Sequence, residues 1–501
     1  MKTHHAPMNS KLWSRAALYR LSGKFLTGAS VISILLAGAQ ANAQSLEEAM
    51  ASAYAINPGL KAERSRYEAT NQGIWTARSE FLPTVTGTYV GEQGAFRRTR
   101  DTLSSDRSFF HEFGVSASQT IFQGLAGVNR LNQAHEEAVS GRNQLIGAEQ
   151  TLLFNTADAY LRVVRDRGIL ARLKSYTYVV QREVKAARAR YKSGDATRTD
   201  IEQALARLAE AQGNKDQAVG DLEASEALYA RLTGQKPGKI GWPNIPKAIE
   251  PTGLDDAIVV AYQNNPSIRA ATADARAARY AARASVGDML PRVALESSWE
   301  NGFRGNLGNR DEEDFRLGVR VTAPFFTGGR NVAEVKRAKF TASQEEFERD
   351  DTQQIIRENV IRAMKQRTAS RLRAKAGLRA IEANKRAVKG LQVEFDSGQR
   401  SLLDVLDGER ELLLSQVDYV RARYDARIAD FFLLANIGRL APQHFSIIEE
   451  RPVPVQRIIP EFNTWDLRLG PTENDTFQTQ AVDVATNEPV FIEVQTLEPI
   501  K

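Results

Sequence analysis

No cysteine occurs in the 501 residues, so the chain has no disulfide framework to hold it and no thiol to carry a lipid anchor. Histidine is nearly as scarce. Of the five, His4 and His5 lie in an N-terminal leader, and His111, His135 and His444 show no metal-ligand spacing. The stretch "TGQKPGKI" has the outline of a phosphate loop, but Thr233 stands where the first glycine is needed and Ile240 where Ser or Thr belongs. An enzyme is therefore not expected, and neither is a cofactor or metal. A concentrated basic patch with base-stacking groups is also missing. Arg182, Lys185, Arg188 and Arg190 read as a solvated helix face, so nucleic acid is not an expected partner.

Acidic residues are absent from positions 1–43, which carry five of the Lys and Arg residues; without those five charges the net +6 falls to +1. The basicity belongs to the leader. Long apolar runs are lacking too. "FLTGASVISILLAGA" is shorter than the roughly 20 residues a membrane-spanning helix needs, and it is preceded by Lys11, Arg15, Arg20 and Lys24 and followed by Ala41-Asn42-Ala43. These three parts read as a secretory signal peptide over 1–43. An exported chain without a spanning helix or a lipid anchor must reach any membrane by folding.

Proline is missing between Pro83 and Pro237 and again between Pro324 and Pro442, which permits helices of unusual length. Leu131, Ala138, Leu145, Leu152 and Ala159 recur at sevens, as do Val335, Ala342, Ile356 and Ala363, with Arg349 breaking the second series. Each stripe is coiled-coil-like. A helix from about Leu125 to Tyr191 would run roughly 100 Å at 1.5 Å per residue.

What is present is present twice. "LEEAMASAYAINPGLKAERSRYEA" aligns with "LDDAIVVAYQNNPSIRAATADARAA" at an offset of 208, pairing Asn57-Pro58 with Asn265-Pro266 and Leu82-Pro83 with Leu290-Pro291. The offset becomes 204 between Pro83 and Gly114, where an exposed loop would tolerate the extra residues. A period this long indicates a duplicated half, not a solenoid repeat. The expected organisation is a first repeat over 44–252 (hairpin near 84–122, long helix 124–192, helix 197–233, linker) and a second over 253–440 (hairpin near 292–326, long helix 328–395, helix 401–437). A tail over 441–501, disordered or packed on the outside, completes it; its short apolar "VFIEV" reads as a lone strand at most.

The stretches between the helices alternate with period two. Val293, Leu295 and Trp299 oppose Arg292, Glu296 and Glu300; Phe315, Leu317, Val319, Val321 and Phe325 oppose Arg316, Arg320 and Thr322; Phe113, Val115, Ala117 and Ile121 line up less sharply. Strands of this kind match the 9–11 residues of a tilted transmembrane strand. Four strands cannot close a barrel and open edges are not tolerated in lipid, so several chains would have to share one.

After each long helix comes a glycine turn, "YKSGDATRTD" and "FDSGQRSLLD". Thr197 with Asp200 and Ser401 with Asp404 fit capping boxes. Asp407, one turn beyond Asp404, is not explained that way, and Gln203 stands at its place in the first repeat. If copies assembled with that face inward, Asp404 and Asp407 would form rings of carboxylate that attract cations.

The ordered set of signal peptide, duplicated halves, hairpins, Asn-Pro and Leu-Pro pairs, "YKSGDATRTD" and "SGQRSLLDVLD" resembles the TolC family of outer-membrane efflux and type I secretion channels over roughly residues 45–440. The resemblance implies a mainly α fold with a small β part: long antiparallel coiled-coil helices forming a periplasmic α-barrel, and four strands per chain in a homotrimeric twelve-stranded transmembrane β-barrel among outer-membrane lipids. "GQKPGKIGWPNIPKAIEPT" would help girdle the helices. It further implies a periplasmic adaptor and an inner-membrane transporter of RND or ABC type as partners, an acidic entrance at Asp404 and Asp407, and a restraining link from Arg400 to Thr199 and Asp200. Where the family's pattern has a Tyr at the link, this chain has Phe395, which cannot donate a hydrogen bond. Glu296, Glu300, Arg316 and Arg320 would line the barrel lumen. The competing expectation is a soluble periplasmic coiled-coil scaffold or adaptor whose sheet packs on helices.

Overall fold

The structure, a computed structural model, describes residues 44–96, 106–243, 251–305, 310–445 and 447, with the backbone alone for 94–96, 106–109, 303–305 and 310–312. The leader, the tips of both hairpin loops and the "VFIEV" stretch lie outside the described residues.

The Asn-Pro pairs explain themselves as helix starts. Helix α1 (Leu46–Ile56) ends at Asn57, whose side-chain oxygen accepts from Gly59 N at 2.9 Å and Leu60 N at 3.2 Å and so caps α2 (Pro58–Ser79), with Pro58 at the first helical position where its missing N–H costs nothing. Asn265 does the same between α5 (Leu254–Asn264) and α6 (Pro266–Gly287), accepting from Ser267 N at 2.9 Å. Strands β1 (Thr84–Phe96) and β2 (Asp106–Gln123) follow α2; β3 (Arg292–Gly305) and β4 (Arg310–Thr322) follow α6.

The long helices are α3 (Ala126–Ser193, 68 residues) and α7 (Arg330–Asp396, 67 residues), each about 100 Å long. They return through α4 (Arg198–Thr233) and α8 (Leu402–Asn436), and a short 3-10 turn spans Pro442–Phe445. Leu131, Ala138, Leu145, Leu152 and Ala159 are all buried, as are Val335, Ala342, Ile356 and Ala363, so the sevenfold stripes are the packing seams. No helix among the described residues is long and apolar enough to cross a membrane.

The sheet is antiparallel with order β1-β2-β3-β4, and the helices that continue it pack in the same order, α2 on α3, α3 on α6 and α6 on α7. The contact between β2 and β3, and between α3 and α6, therefore joins the two repeats. At the strand-to-helix turn Gly124 (φ 56) and Leu125 (φ 62) are left-handed, and a Cβ on Gly287 would lie 2.6 Å from the Gly124 carbonyl oxygen; only glycine allows that approach. Arg130 of α3 binds Asp288 at 2.6 Å and Glu80 at 3.0 Å. Both acids sit at helix C-termini, where the macrodipole disfavours negative charge, and one guanidinium neutralises them together.

Midway along the helices the segment after α4 crosses over. Arg167 donates to the carbonyls of Gly238 (2.6 Å) and Pro237 (3.0 Å), the Tyr160 hydroxyl accepts from Gly241 N at 3.3 Å, and Arg423 lies 4.5 Å over the Trp242 ring. The start of the "GQKPGKIGW" stretch thus girdles α3 and α8.

Three sequence expectations are corrected. The strands are 13 to 18 residues long, not 9–11, because the hairpins continue past their apolar band into polar sequence such as Glu313. Phe325 lies outside β4, which stops at Thr322 just before Pro324, and is 97% exposed. Between Thr120 and Phe122 a bulge shifts the β2–β3 register so that Phe122, not Ile121, pairs with Val293 and takes the apolar face.

Candidate functional site

Directly paired residues share one face of a sheet, and the register sorts the four strands cleanly. One face carries Val85, Tyr89, Phe113, Val115, Phe122, Val293, Leu295, Trp299, Phe315, Leu317, Val319 and Val321, through pairs such as Tyr89 with Phe113, Val115 with Trp299, Trp299 with Phe315 and Leu295 with Val319. Among the described residues nothing covers it. Phe315, Leu317, Val319 and Val321 are 64–67% exposed. Phe113 and Trp299 meet edge-on with ring centroids 5.9 Å apart, and the Trp299 indole N–H donates to Glu313 at 2.9 Å.

The opposite face carries all four residues expected to line a lumen. Arg320 donates from Nε to both carboxylate oxygens of Glu296, at 2.7 and 2.8 Å, Arg316 binds Asp314, and Glu300 pairs in register with Asp314 and Gly114. The strands thus present lipid-like and water-like surfaces back to back.

At the far end of the helices the two turns are near copies. Gly194 (φ 88) and Gly398 (φ 76) supply the left-handed residue that ends a helix. Asp195 N then donates to the Arg190 carbonyl, and Gln399 N to the Glu394 carbonyl, both at 2.8 Å. Thr197 caps α4 and Ser401 caps α8: each hydroxyl accepts from the backbone N–H of the aspartate three residues on at 3.2 Å, and that aspartate accepts from the cap residue's N–H at 2.8 Å (Asp200) and 3.0 Å (Asp404). Hydrogen bonds from the Ser401 hydroxyl and amide hold the Asp404 carboxyl below the usual aspartate range, with Arg400 adding to the effect. Asp404 is therefore ionised at any physiological pH.

The remaining tip residues are arranged differently from the expectation. Within the chain Arg400 binds Glu394 on its own turn at 2.9 Å and is not brought to Thr199 or Asp200; Thr199 is exposed, and Asp200 is engaged in its cap. Asp407 is not a free surface charge, since Arg207 of α4 binds it at 2.9 Å. The Phe395 ring lies under the Arg190 guanidinium at 4.2 Å, and Arg190 also reaches Asp396 at 3.8 Å. These contacts, α3 to α7 and α4 to α8, tie the tips of the two helical hairpins. Sequence reading missed Arg207 and took Arg190 for part of a solvated helix face, because each acts across about 200 positions with no local signal.

A chain with this layout has many counterparts. The family model described as outer membrane efflux protein matches residues 49–235 and 257–439, one match in each repeat. Among curated relatives, the outer membrane efflux protein BepC of Brucella suis biovar 1 is 29% identical over 433 residues, covering 86% of this chain and 91% of that protein. The outer membrane protein TolC of Vibrio cholerae is 24% identical, covering 80% and 92%. The crystal structure of the Campylobacter jejuni CmeC outer membrane channel superposes with a TM-score of 0.71 at 18% identity, covering 79% of this chain and 86% of that one. The soluble-scaffold expectation does not survive these matches. With an uncovered apolar strand face above paired 100 Å hairpins, and both repeats matched, the chain belongs to the outer membrane efflux protein family.

Proposed function

We propose that three copies of the chain close a twelve-stranded barrel in the outer membrane and that the joined helices form a passive exit duct toward the periplasm. The observation that carries this reading is the four-stranded sheet with one face banded by exposed apolar side chains and two edges, β1 and β4, that pair with nothing among the described residues. In lipid each unpaired backbone group costs several kcal/mol, and β1 of one copy beside β4 of the next satisfies them in the antiparallel sense the sheet already has. The face with Glu296, Glu300, Arg316 and Arg320 then lines the lumen.

In this reading the residues 1–43 are the export signal, energy comes from an inner-membrane transporter of RND or ABC type, and a periplasmic adaptor joins the two. Relatives include the alkaline protease secretion protein AprF and the efflux protein BepC, so small molecules and secreted proteins are both candidate cargo. The turns at Gly194 and Gly398 form the periplasmic entrance. Asp404 and Asp407 give it negative charge, with Asp407 partly offset by Arg207, and Arg400 restrains it.

Single-channel conductance in planar bilayers tests the reading, comparing the native chain with Asp404→Ala/Asp407→Ala. Small cation-selective currents that multivalent cations block in the native protein, and block at least tenfold less well in the variant, are expected. A well-folded preparation that never inserts would overturn the duct. Arg400→Ser is expected to raise conductance; unchanged current would remove Arg400 from the restraint.

A further inference from the structure

The internal duplication says what the free side of α7 is shaped to receive. Within the chain α3 has a helix on each side. Toward α2 it turns Leu131, Ala134 and Ala138, packed with Ile74 and Ala77. Toward α6 it turns Glu136, which faces Arg276 at 3.9 Å, the buried Asn143, and Gly147, where a Cβ would lie 4.0 Å from that of Pro266. Helix α7 has α6 on one side, through the buried Val335 and Ala342 and the Arg279–Glu346 pair. Among the described residues its other side is bare.

Adding 204 to the α6-facing positions of α3 gives Phe340, Phe347 and Asp351. These three line a shallow groove on α7 together with Gln344 and Glu348, and Phe340 and Phe347 are 75% and 73% exposed. Two large apolar side chains held open to water on a helix of this polarity call for a cover. The matching cover is on α2. Subtracting 208 from Pro266, Ala270, Ala273 and Ala277, the α6 residues buried at the α3–α6 joint, gives Pro58, Ala62, Ser65 and Ala69, all of them exposed. Where α6 has Asp274, α2 has Arg66, its side chain 70% exposed, and where α3 has Gln144 and Gly147, α7 has Glu348 and Asp351.

We propose that the groove on α7 seats α2 of a second copy of this chain, with Phe340 and Phe347 as knobs against Ala62, Ser65 and Ala69, and Arg66 opposite Gln344, one turn from Glu348. The joint between copies is thus the α3–α6 joint with its polar contacts exchanged for aromatic ones: Glu136 and Asn143 become the two phenylalanines, and small residues opposite make room for them. It is continuous with the unpaired β1 and β4 edges above. This inference rests on the self-assembly proposed above and adds its register, which fixes which residues meet.

The absence of cysteine makes the register directly measurable. The 4.0 Å spacing at Gly147 and Pro266 lies within the roughly 3.5–4.5 Å that a disulfide spans between Cβ atoms, so the equivalent pair Pro58→Cys/Asp351→Cys should cross-link between copies. On oxidation in detergent it is expected to give covalent dimers and trimers on a non-reducing gel, reversed by reductant. Either single variant, or Pro58→Cys with Val335→Cys on the α6-facing side, should give none. In a second test, Phe340→Ala/Phe347→Ala should weaken assembly at least tenfold by mass measurement in dilute detergent solution. A trimer by mass that neither cross-links through 58 and 351 nor loosens without the phenylalanines would overturn this joint while leaving the assembly intact. A native chain that is monomeric by mass would overturn the assembly itself.

Discussion

Arg167 with Glu226 and Arg371 with Asp430 are the same ion pair placed 204 residues apart, each at 2.7 Å, yet they sit in different surroundings. In the first repeat both side chains are about one-third exposed. In the second the carboxylate is 3% exposed, and Arg367, itself 10% exposed, donates to it as well at 2.8 Å. Val163 occupies the first-repeat position of Arg367. The duplication kept the contact and changed its dielectric setting, and the setting decides what the contact is worth: an exposed pair contributes about 0–1 kcal/mol, whereas removing one member of a buried pair costs about 3–5 kcal/mol.

The largest expected effect follows from that difference. Asp430→Ala removes the buried carboxylate that Arg367 and Arg371 share and should cost about 3–5 kcal/mol, while Glu226→Ala should cost under about 1 kcal/mol; thermal unfolding in detergent reads both, and equal losses would break the comparison. The capping boxes should instead behave alike, since Thr197 and Ser401 make the same bonds at distances within 0.2 Å of each other. Thr197→Ala and Ser401→Ala are each expected to cost about 1 kcal/mol, and a cap that matters in only one repeat would show that the turns are not equivalent.

Smaller effects separate the repeats at the tips. Arg207→Ala removes the partner of Asp407, a position the first repeat fills with Gln203. It should change stability by under about 1 kcal/mol while making multivalent cations block the channel at lower concentration. Unaltered block would mean that Asp407 does not face the path.

The smallest effect depends on pH. Burial and then the nearby charge of Glu183 push the Glu409 carboxyl above the usual range, against the opposing charge of Arg182; Leu205 stands at the equivalent place. A carboxyl whose pKa is raised on folding binds its proton more tightly in the native state, so its ionised form weakens the fold at neutral pH and the penalty fades as pH falls toward the ordinary glutamate value. Glu409→Gln should therefore be slightly more stable than the native chain at pH 7.5, with the gap closing on acidification. A gap that widens toward acid would reverse the sign of this assignment.

What the sequence disclosed depended on the reach of each interaction. The Asn57-Pro58 and Asn265-Pro266 starts, the glycine turns and the capping boxes are satisfied within three or four residues, so their chemistry is written locally. Sevenfold stripes and alternating strands were legible because periodicity survives without knowing the partner. The bulge that exchanges Ile121 for Phe122 was hidden, since an inserted residue does not disturb a short alternating pattern until a neighbouring strand fixes the register. Arg207 with Asp407 and Arg190 with Phe395 were hidden for another reason: surface arginines are common, and only the docking of two hairpins selects these. The Arg371–Asp430 pair lay between: its positions repeat those of Arg167 and Glu226 at the same offset, but nothing local marked Asp430 as the more deeply buried carboxylate.

The joint of β2 with β3 and of α3 with α6 also bears on how quickly such an assembly forms. Because the chain continues from one repeat into the next, those surfaces meet at an effective concentration set by their covalent connection, and not at the much lower concentration of separate molecules. Every second joint around a closed ring of three copies is then made before any two chains collide. Two collisions and a closing step complete what six unlinked halves would need five collisions and a closing step to build, and the period during which apolar strand faces stand uncovered is shortened accordingly.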